Sequence, residues 1–417
     1  MLDRPQLSIG DLVRARRPGL TFPAGLYNRA DVFEADLDVF FHRQWIFAGF
    51  EADVPEPGDV AAIDVGGSSA LIARGDDGIV RAFRNVCRHR GARLLPHGKH
   101  TVGKLVCPYH QWTYELDGDL IHADHMGTDF DRSCRGLKPV HLRSVEGLLF
   151  LCLAEEAPED FADLVAEMTP RLAPFDLRNA KIAFEETIVE HGNWKLTMEN
   201  NRECYHCAGS HPELNVSFVV QDFGFDPDQL SEAERAEVAA YQANNARHMA
   251  EWEGRGLVSH ACDHLAGHVT NFRTQRLVIQ GEGESQTLDT RAASRKLLGA
   301  MTEPKSGDLH FWTHHSWHHY MADHAIAIRA LPLGPDLTAV HTKWLVHKDA
   351  VEGVDYDLTR LTEVWRATNA QDADLVALTQ AGVKDIGYEP GPYSRFTEGF
   401  LDGFATWYTE RMIAAGY

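Results

Sequence analysis

The chain has 417 residues, 44% of them hydrophobic and 24% charged, with a formal net charge of −21. That length holds two or three domains and a large core, while the acidic balance argues against nucleic acid and anionic membrane surfaces as partners. No stretch reaches the roughly 18 uninterrupted apolar residues of a membrane span, and the opening MLDRPQLSIGDLVRARRPG carries no signal-peptide apolar run. Seven cysteines, an odd number, do not read as a disulfide framework, so a reducing cytoplasm is the expected location.

Residues 1–45 read as an arm of short helices, with apolar residues at helical spacing in ADVFEADLDVFFHRQW. From 46 to 155 the pattern changes to short strands and turns. Val60–Val65 and Ala70–Ala73 are strand-like, and Asp76-Asp77-Gly78 and Asp117-Gly118 are hairpin turn signals. Residues 156–417 then mix helices and strands. Helices are expected over Asp160–Phe175, Ser231–Arg255, Asp357–Gly382 and Phe396–Ala415, and sheet over Leu309–Lys348, where Gly334-Pro335-Asp336 makes a turn. The fold class is α+β: an N-terminal all-β domain, then a C-terminal α/β catalytic domain with an antiparallel sheet and flanking helices.

Within the β domain, Cys87, His89, Cys107 and His110 stand as C-x-H, seventeen residues, C-x2-H. Two thiolates on one iron and two imidazoles on the other are the ligand set of a Rieske [2Fe–2S] centre, an electron relay. The same residue types also make a zinc site, and the spacers alone leave both open. Arg90-Gly91 after the first His and Pro108-Tyr109 inside the second pair favour the cluster, because zinc fingers usually carry three to five residues between histidines on a helix.

The block HGNWKLTMENNRECYHCAGSHPEL sets Glu203, His206 and His211 as E-x2-H-x4-H. Glu203 and His206, three apart, are expected on one helix face. His206 and His211 stand about 140° apart on an ideal helix. They can hold one metal only if the helix is distorted, which Gly209 allows, and Pro212 ends it. Two histidines and a distant carboxylate form the facial triad of non-haem Fe(II) oxygenases, whose open positions admit O2. The bland alternative is a helix with surface histidines. The best carboxylate is Asp372, on a helix that Leu375, Val376 and Leu378 would hold against the core, with Asp374 about 200° round it. Asp355 and Asp357 are weaker candidates. Cys204 and Cys207 flank His206, and redox or metal chemistry at that pair is the lesser reading.

CRHRG, CPYHQWTYELDG and NWKL-x2-EN-x2-E-x2-H-x4-HP together resemble the α subunits of Rieske non-haem iron oxygenases over nearly the whole chain. The resemblance implies a [2Fe–2S] cluster on Cys87, His89, Cys107 and His110, and Fe(2+) on His206, His211 and Asp372. Asn200 would stand beside that iron. Glu203 would be the electron bridge, joining a cluster histidine, His110, of a neighbouring subunit to His206 in a homotrimer. Most of the family has Asp at the position of Glu203. Glu there, with ENNRECYHC-x-GSHPEL, TKWLVHKDAVEGVDYD, ATN-x-QD, PGPYS and F-x2-WY-x-ERM, resembles the quaternary ammonium branch, closest to the glycine betaine monooxygenases and then the stachydrine demethylases. The stretch Leu309–His324 matches less well and is expected to line the pocket. The implied reaction is oxidative N-demethylation of glycine betaine to dimethylglycine and formaldehyde, with stachydrine, carnitine and choline as alternatives. No G-x-G-x-x-G follows a strand, so NADH is expected on a separate flavin and ferredoxin-type reductase. Trp312, Trp317 and Tyr320 are candidates for an aromatic cage around the ammonium. Two readings from other classes are an electron-transfer Rieske protein without oxygenase activity and a zinc-binding structural protein.

Overall fold

The computed structural model describes residues 7–218, 226 and 228–417. The first six residues of the expected arm lie outside them. The chain divides into two compact units, Met1–Val39 with Asp160–Tyr417, and Phe40–Glu159. No described helix is long and apolar enough to cross a membrane.

The arm supplies α1 (Ile9–Ala15), α2 (Ala24–Asn28) and α3 (Ala30–Asp36). Ser8 caps α1 reciprocally: its hydroxyl accepts from the Asp11 amide at 3.0 Å while Asp11 accepts from the Ser8 amide at 3.1 Å. Asp36 at the end of α3 is fully buried. It accepts from the Trp194 indole at 2.9 Å and the Tyr408 hydroxyl at 2.6 Å, and pairs with Lys195. A buried carboxylate needs such partners, since burying a charge without them costs several kcal/mol.

The Phe40–Glu159 unit is all β. Its strands are β1 (Ile46–Phe50), β2 (Asp59–Val65), β3 (Ser68–Arg74), β4 (Val80–Arg84), β5 (Gly98–Thr101), β6 (Leu105–Val106), β7 (Thr113–Tyr114), β8 (Leu120–His122), β9 (His141–Val145) and β10 (Leu148–Cys152). They form sheets in the orders β4-β3-β2-β5, β6-β7-β8 and β1-β10-β9. Leu71, Phe83, Leu105, Trp112 and Tyr114 make a core that also encloses Cys87 and Cys107. Gly118, in the turn between β7 and β8, has φ +95°, and a Cβ there would lie 2.5 Å from the Phe83 ring. Asp117-Gly118 is therefore both a turn and a packing requirement.

In the other unit, α4 (Phe161–Leu172) precedes a seven-stranded antiparallel sheet of order β11-β17-β16-β15-β14-β13-β12. Its strands are β11 (Ala180–Glu190), β12 (Cys262–His264), β13 (Phe272–Leu277), β14 (Asp308–Thr313), β15 (Ser316–Tyr320), β16 (Ala325–Gly334) and β17 (Leu337–His347). The helices are α5 (Trp194–Asn201), α6 (Cys207–Ser210), α7 (Glu232–Gly254), α8 (Leu358–Val383) and α9 (Gly399–Ala414). Ser231 and Asp357 cap α7 and α8, which spends one of the two weaker carboxylate candidates. The other, Asp355, accepts from the Val351 amide at 2.8 Å.

Two sequence expectations need correction. No continuous helix carries Glu203, His206 and His211. The helix α5 stops at Asn201, residues 203–206 form an irregular turn, and one short helical turn, α6, separates the two histidines. On α8, Val376 is buried and Leu375 half-buried, but Leu378 is 70% exposed. It lies two residues beyond Val376, about 200° round the helix.

Candidate active site

In the all-β unit the two Cys/His loops share one hydrogen-bond pattern. The Cys87 amide donates to the Ala92 carbonyl and the Gly91 amide to the Cys87 carbonyl. In the second loop the Cys107 amide donates to Trp112 and the Gln111 amide to Cys107. The fourth residue after each cysteine is left-handed, Gly91 at φ +82° and Gln111 at φ +60°. Two similar turns thus bury both thiols and carry the histidines outward. Cys87 and Cys107 are buried, His89 is half-buried and His110 exposed. The His89 and His110 rings lie 4.6 Å apart, and His89 stacks on Trp112. Burial pushes the Cys107 thiol up from its ordinary range, and His89 Nδ1 is buried without a hydrogen bond among the described residues. Two buried thiols beneath two outward imidazoles fit the donor set of a [2Fe–2S] centre.

In the other unit three donors converge. His206 Nε2 and His211 Nε2 are 3.1 Å apart, and Asp372 Oδ1 is 3.4 Å from the first and 3.1 Å from the second. Neighbouring vertices of an octahedron are separated by √2 times the metal–ligand distance. Bonds of roughly 2.0–2.2 Å therefore set donors about 2.8–3.1 Å apart. The outer nitrogen of each imidazole is already held: His206 Nδ1 by Glu203 Oε1 at 2.5 Å, and His211 Nδ1 by Gln371 Oε1 at 2.8 Å. Such anchoring fixes which nitrogen faces a metal. Burial works to lower the His206 pKa, yet hydrogen bonds to Asp372 and Glu203 raise it to about 9. The same field favours a metal cation. Two histidines and one carboxylate on one side of a site suit a non-haem iron. Asp374 is exposed, as its position on the helix requires.

Asn200 Nδ2 lies 3.5 Å from His206 Nε2. Cys204 and Cys207 are joined as a disulfide, with Cα atoms 4.9 Å apart across the turn. The irregular turn brings the two Cα atoms within the range a bridge requires; it is one local bridge and not a disulfide framework. Sequence reasoning assigned no role to Gln371, although it adjoins Asp372. Its signal was a carboxamide one residue before the candidate ligand.

Beside the three donors lies a cavity of about 360 Å3, at the small end of ordinary ligand sites. Its floor is one face of the sheet, where side chains alternate. Arg273, Gln275 and Leu277 come from β13, His310 and Trp312 from β14, and His319 from β15. Phe218, Trp365, Phe396 and Phe400 add aromatic walls. Of the three expected cage aromatics, Trp312 lines this cavity, and Trp317 and Tyr320 do not. Tyr320 pairs with Leu309, which puts it on the opposite face, where its hydroxyl bonds His318. Trp317 pairs with Trp312 and shares its face, but is buried beyond the cavity.

The ring hydroxylating alpha subunit (catalytic domain) model matches residues 177–414, and the Rieske [2Fe-2S] domain model matches residues 44–142. The chain is 43% identical over 406 residues to the glycine betaine monooxygenase oxygenase subunit of Chromohalobacter salexigens, covering 97% of this chain and 88% of that one. It is 42% identical over 415 residues to the corresponding subunit of Pseudomonas aeruginosa, covering 99% and 94%. Its fold is similar to that of a quaternary ammonium Rieske monooxygenase whose structure bears on carnitine oxidation and inter-subunit electron transfer. The TM-score is 0.68 at 22% identity, over 98% of this chain and 99% of that one. With both domain models matched and near-complete relatives above 40% identity, the chain belongs to the Rieske non-haem iron oxygenase α-subunit family and is a monooxygenase that uses a [2Fe–2S] cluster and a mononuclear iron.

Proposed function

We propose that this chain is the oxygenase component of an N-demethylase for a small betaine, glycine betaine itself, yielding dimethylglycine and formaldehyde. The observation that carries the reading is the small aromatic-walled cavity opening on His206, His211 and Asp372. A quaternary ammonium has no N–H to donate and is held by aromatic faces, each worth roughly 0.5–2 kcal/mol. Trp312, Phe218 and Trp365 offer such faces beside the three donors. The 42–43% identity to glycine betaine monooxygenase subunits over nearly the whole chain supports the same substrate.

In this reading Cys87, His89, Cys107 and His110 hold the cluster and His206, His211 and Asp372 hold the iron. When bound, the cluster supplies electrons and the iron activates O2. The chain's own residues do the rest. Glu203 and Gln371 orient the two imidazoles through their outer nitrogens, and Asn200 stands beside His206. The aromatic walls hold the head group with one N-methyl toward the donors and keep bulk water out. One atom of O2 enters an N-methyl C–H bond, and the other leaves as water with two protons and two electrons that come from NADH through the reductase. The resulting N-hydroxymethyl ammonium then loses formaldehyde and a proton.

The exposed His110 is suited to hand electrons outward, and Glu203 is suited to receive them beside His206. We assign the transfer to His110 of a neighbouring copy bonding Glu203 within a homotrimer, supplied by a separate NADH-dependent flavin and ferredoxin-type reductase in the cytoplasm. The test is substrate-dependent formaldehyde release with NADH, O2 and such a reductase across glycine betaine, stachydrine, carnitine and choline. Release from glycine betaine in preference to the others is expected. Release from none of the four, with a cluster that still cycles, would sink the assignment.

A further inference from the structure

A buried sheet face is ordinarily apolar, yet three cavity-lining neighbours here are polar and in one row. Gln275 on β13 pairs with His310 on β14, and His310 pairs with His319 on β15. All three line the cavity, and His310 and His319 are 2% and 3% exposed. Groups so buried need partners.

Two anchors fix the row. Behind it, Asp308 Oδ2 takes His310 Nε2 at 2.5 Å, His319 Nδ1 at 2.8 Å and the Gln286 amide at 2.7 Å. The Trp365 indole donates to Gln286 Oε1 at 2.6 Å, which fixes that amide's orientation. His310 Nε2 and His319 Nδ1 lie 3.0 Å apart and meet the same carboxylate oxygen. At the other end, Arg273 donates to Gln275 Oε1 at 2.7 Å, turning the Gln275 N–H2 group away. His310 Nδ1 is buried and makes no hydrogen bond among the described residues. A trimethylammonium head could not satisfy it. An acid oxygen could.

We propose that Gln275 and His310, backed by His319 and Asp308, form the subsite that grips the substrate's carboxylate and selects a betaine over a quaternary ammonium without an acid group. The proposal rests on the betaine reading above and adds the residues that read the acid end. Gln275 Nε2–H donates to one carboxylate oxygen and His310 Nδ1–H to the other. Donating through both ring nitrogens, to Asp308 and to the acid, makes His310 the doubly protonated ring in the complex.

The experiment is anaerobic calorimetric titration of the holoenzyme with glycine betaine and with ethyltrimethylammonium, the same head without the acid. Hydrogen bonds to a charged group imply a loss of about tenfold or more in glycine betaine affinity for His310→Phe and Gln275→Met, with ethyltrimethylammonium affinity unchanged. Wild-type titrations need no variant to fold: glycine betaine should bind about tenfold or more tighter than ethyltrimethylammonium. Equal losses for both ligands, or equal wild-type affinity for the two, would overturn the subsite while leaving the ammonium reading in place. Failure of the wild type to bind glycine betaine at all would remove the betaine reading and the subsite with it.

Discussion

Gln371→Ala removes the hydrogen bond that holds His211 beside the iron donors, together with the one the Gln371 amide gives Glu213 at 2.8 Å. Gln371 Oε1 lies 2.8 Å from His211 Nδ1, and His211 is 1% exposed. Water therefore cannot easily take the place of the lost acceptor, and an unsatisfied buried donor costs about 1–3 kcal/mol. Loss of such an outer partner costs about 10–100-fold in metal affinity, and at 1.36 kcal/mol per tenfold that is about 1.4–2.7 kcal/mol. The two routes to the magnitude agree. The assay is Fe(2+) affinity by chelator competition, with the visible spectrum of the cluster as internal control, because its four residues lie in the other compact unit. The variant should lose iron affinity by that factor and keep its cluster spectrum. Glu213→Ala, which removes only the other Gln371 bond, should lose less iron affinity than Gln371→Ala. Wild-type iron affinity in Gln371→Ala would refute the claim that His211 is oriented through its outer nitrogen.

Other outcomes follow from the same structure. Trp312→Ala should raise KM for the ammonium substrate about 2–30-fold, the loss of one aromatic face. Trp317→Ala should lower the melting temperature and leave KM near wild type. Gly192→Ala sets a Cβ 2.3 Å from Val376 Cγ1, one turn along α8 from Asp372, and such overpacking should cost about 1–3 kcal/mol of stability, read by chemical denaturation, together with lower iron occupancy. Asp36→Ala leaves Lys195 buried and unpaired and should cost about 3–5 kcal/mol by the same measurement. Burial raises the Glu199 carboxyl to about 7, against the hydrogen bond from Tyr27 and the charge of Lys195. The folded state then holds this proton between the unfolded value near 4.5 and about 7. Its contribution to stability is full below that window and is lost as pH rises through it. Glu199→Gln should flatten the decline in melting temperature across that range; an unchanged profile would show that Glu199 is not the group responsible.

Much of the site was legible because its chemistry is local. Cys87-x-His89 and Cys107-x2-His110 each sit on one turn, so spacing alone brings their donors together. His206 and His211 needed a distorted helix, and the chain goes further by abandoning helix at Arg202. Asp372 lies 161 positions beyond His211 and was found through the family resemblance; helical phase then separated it from Asp374. The cage was harder, because strand register decides it. Trp312, Trp317 and Tyr320 look alike in HFWTHHSWHHY, but pairing with Leu309 turns Tyr320 to the far face. The row Gln275–His310–His319 was invisible for the same reason, being assembled across three strands from a run crowded with histidines. The Cys204–Cys207 bridge was passed over because His206 between them drew the stronger reading.

The most direct test of the central claim is a single turnover. The oxygenase is reduced anaerobically, freed of reductant and mixed with O2 and glycine betaine. The account predicts formaldehyde and dimethylglycine in equal amounts, approaching one per mononuclear iron, with cluster oxidation in step, and none from a His206→Ala variant whose cluster is intact. Cluster oxidation without formaldehyde in the wild type, or formaldehyde from the His206→Ala variant, would contradict it.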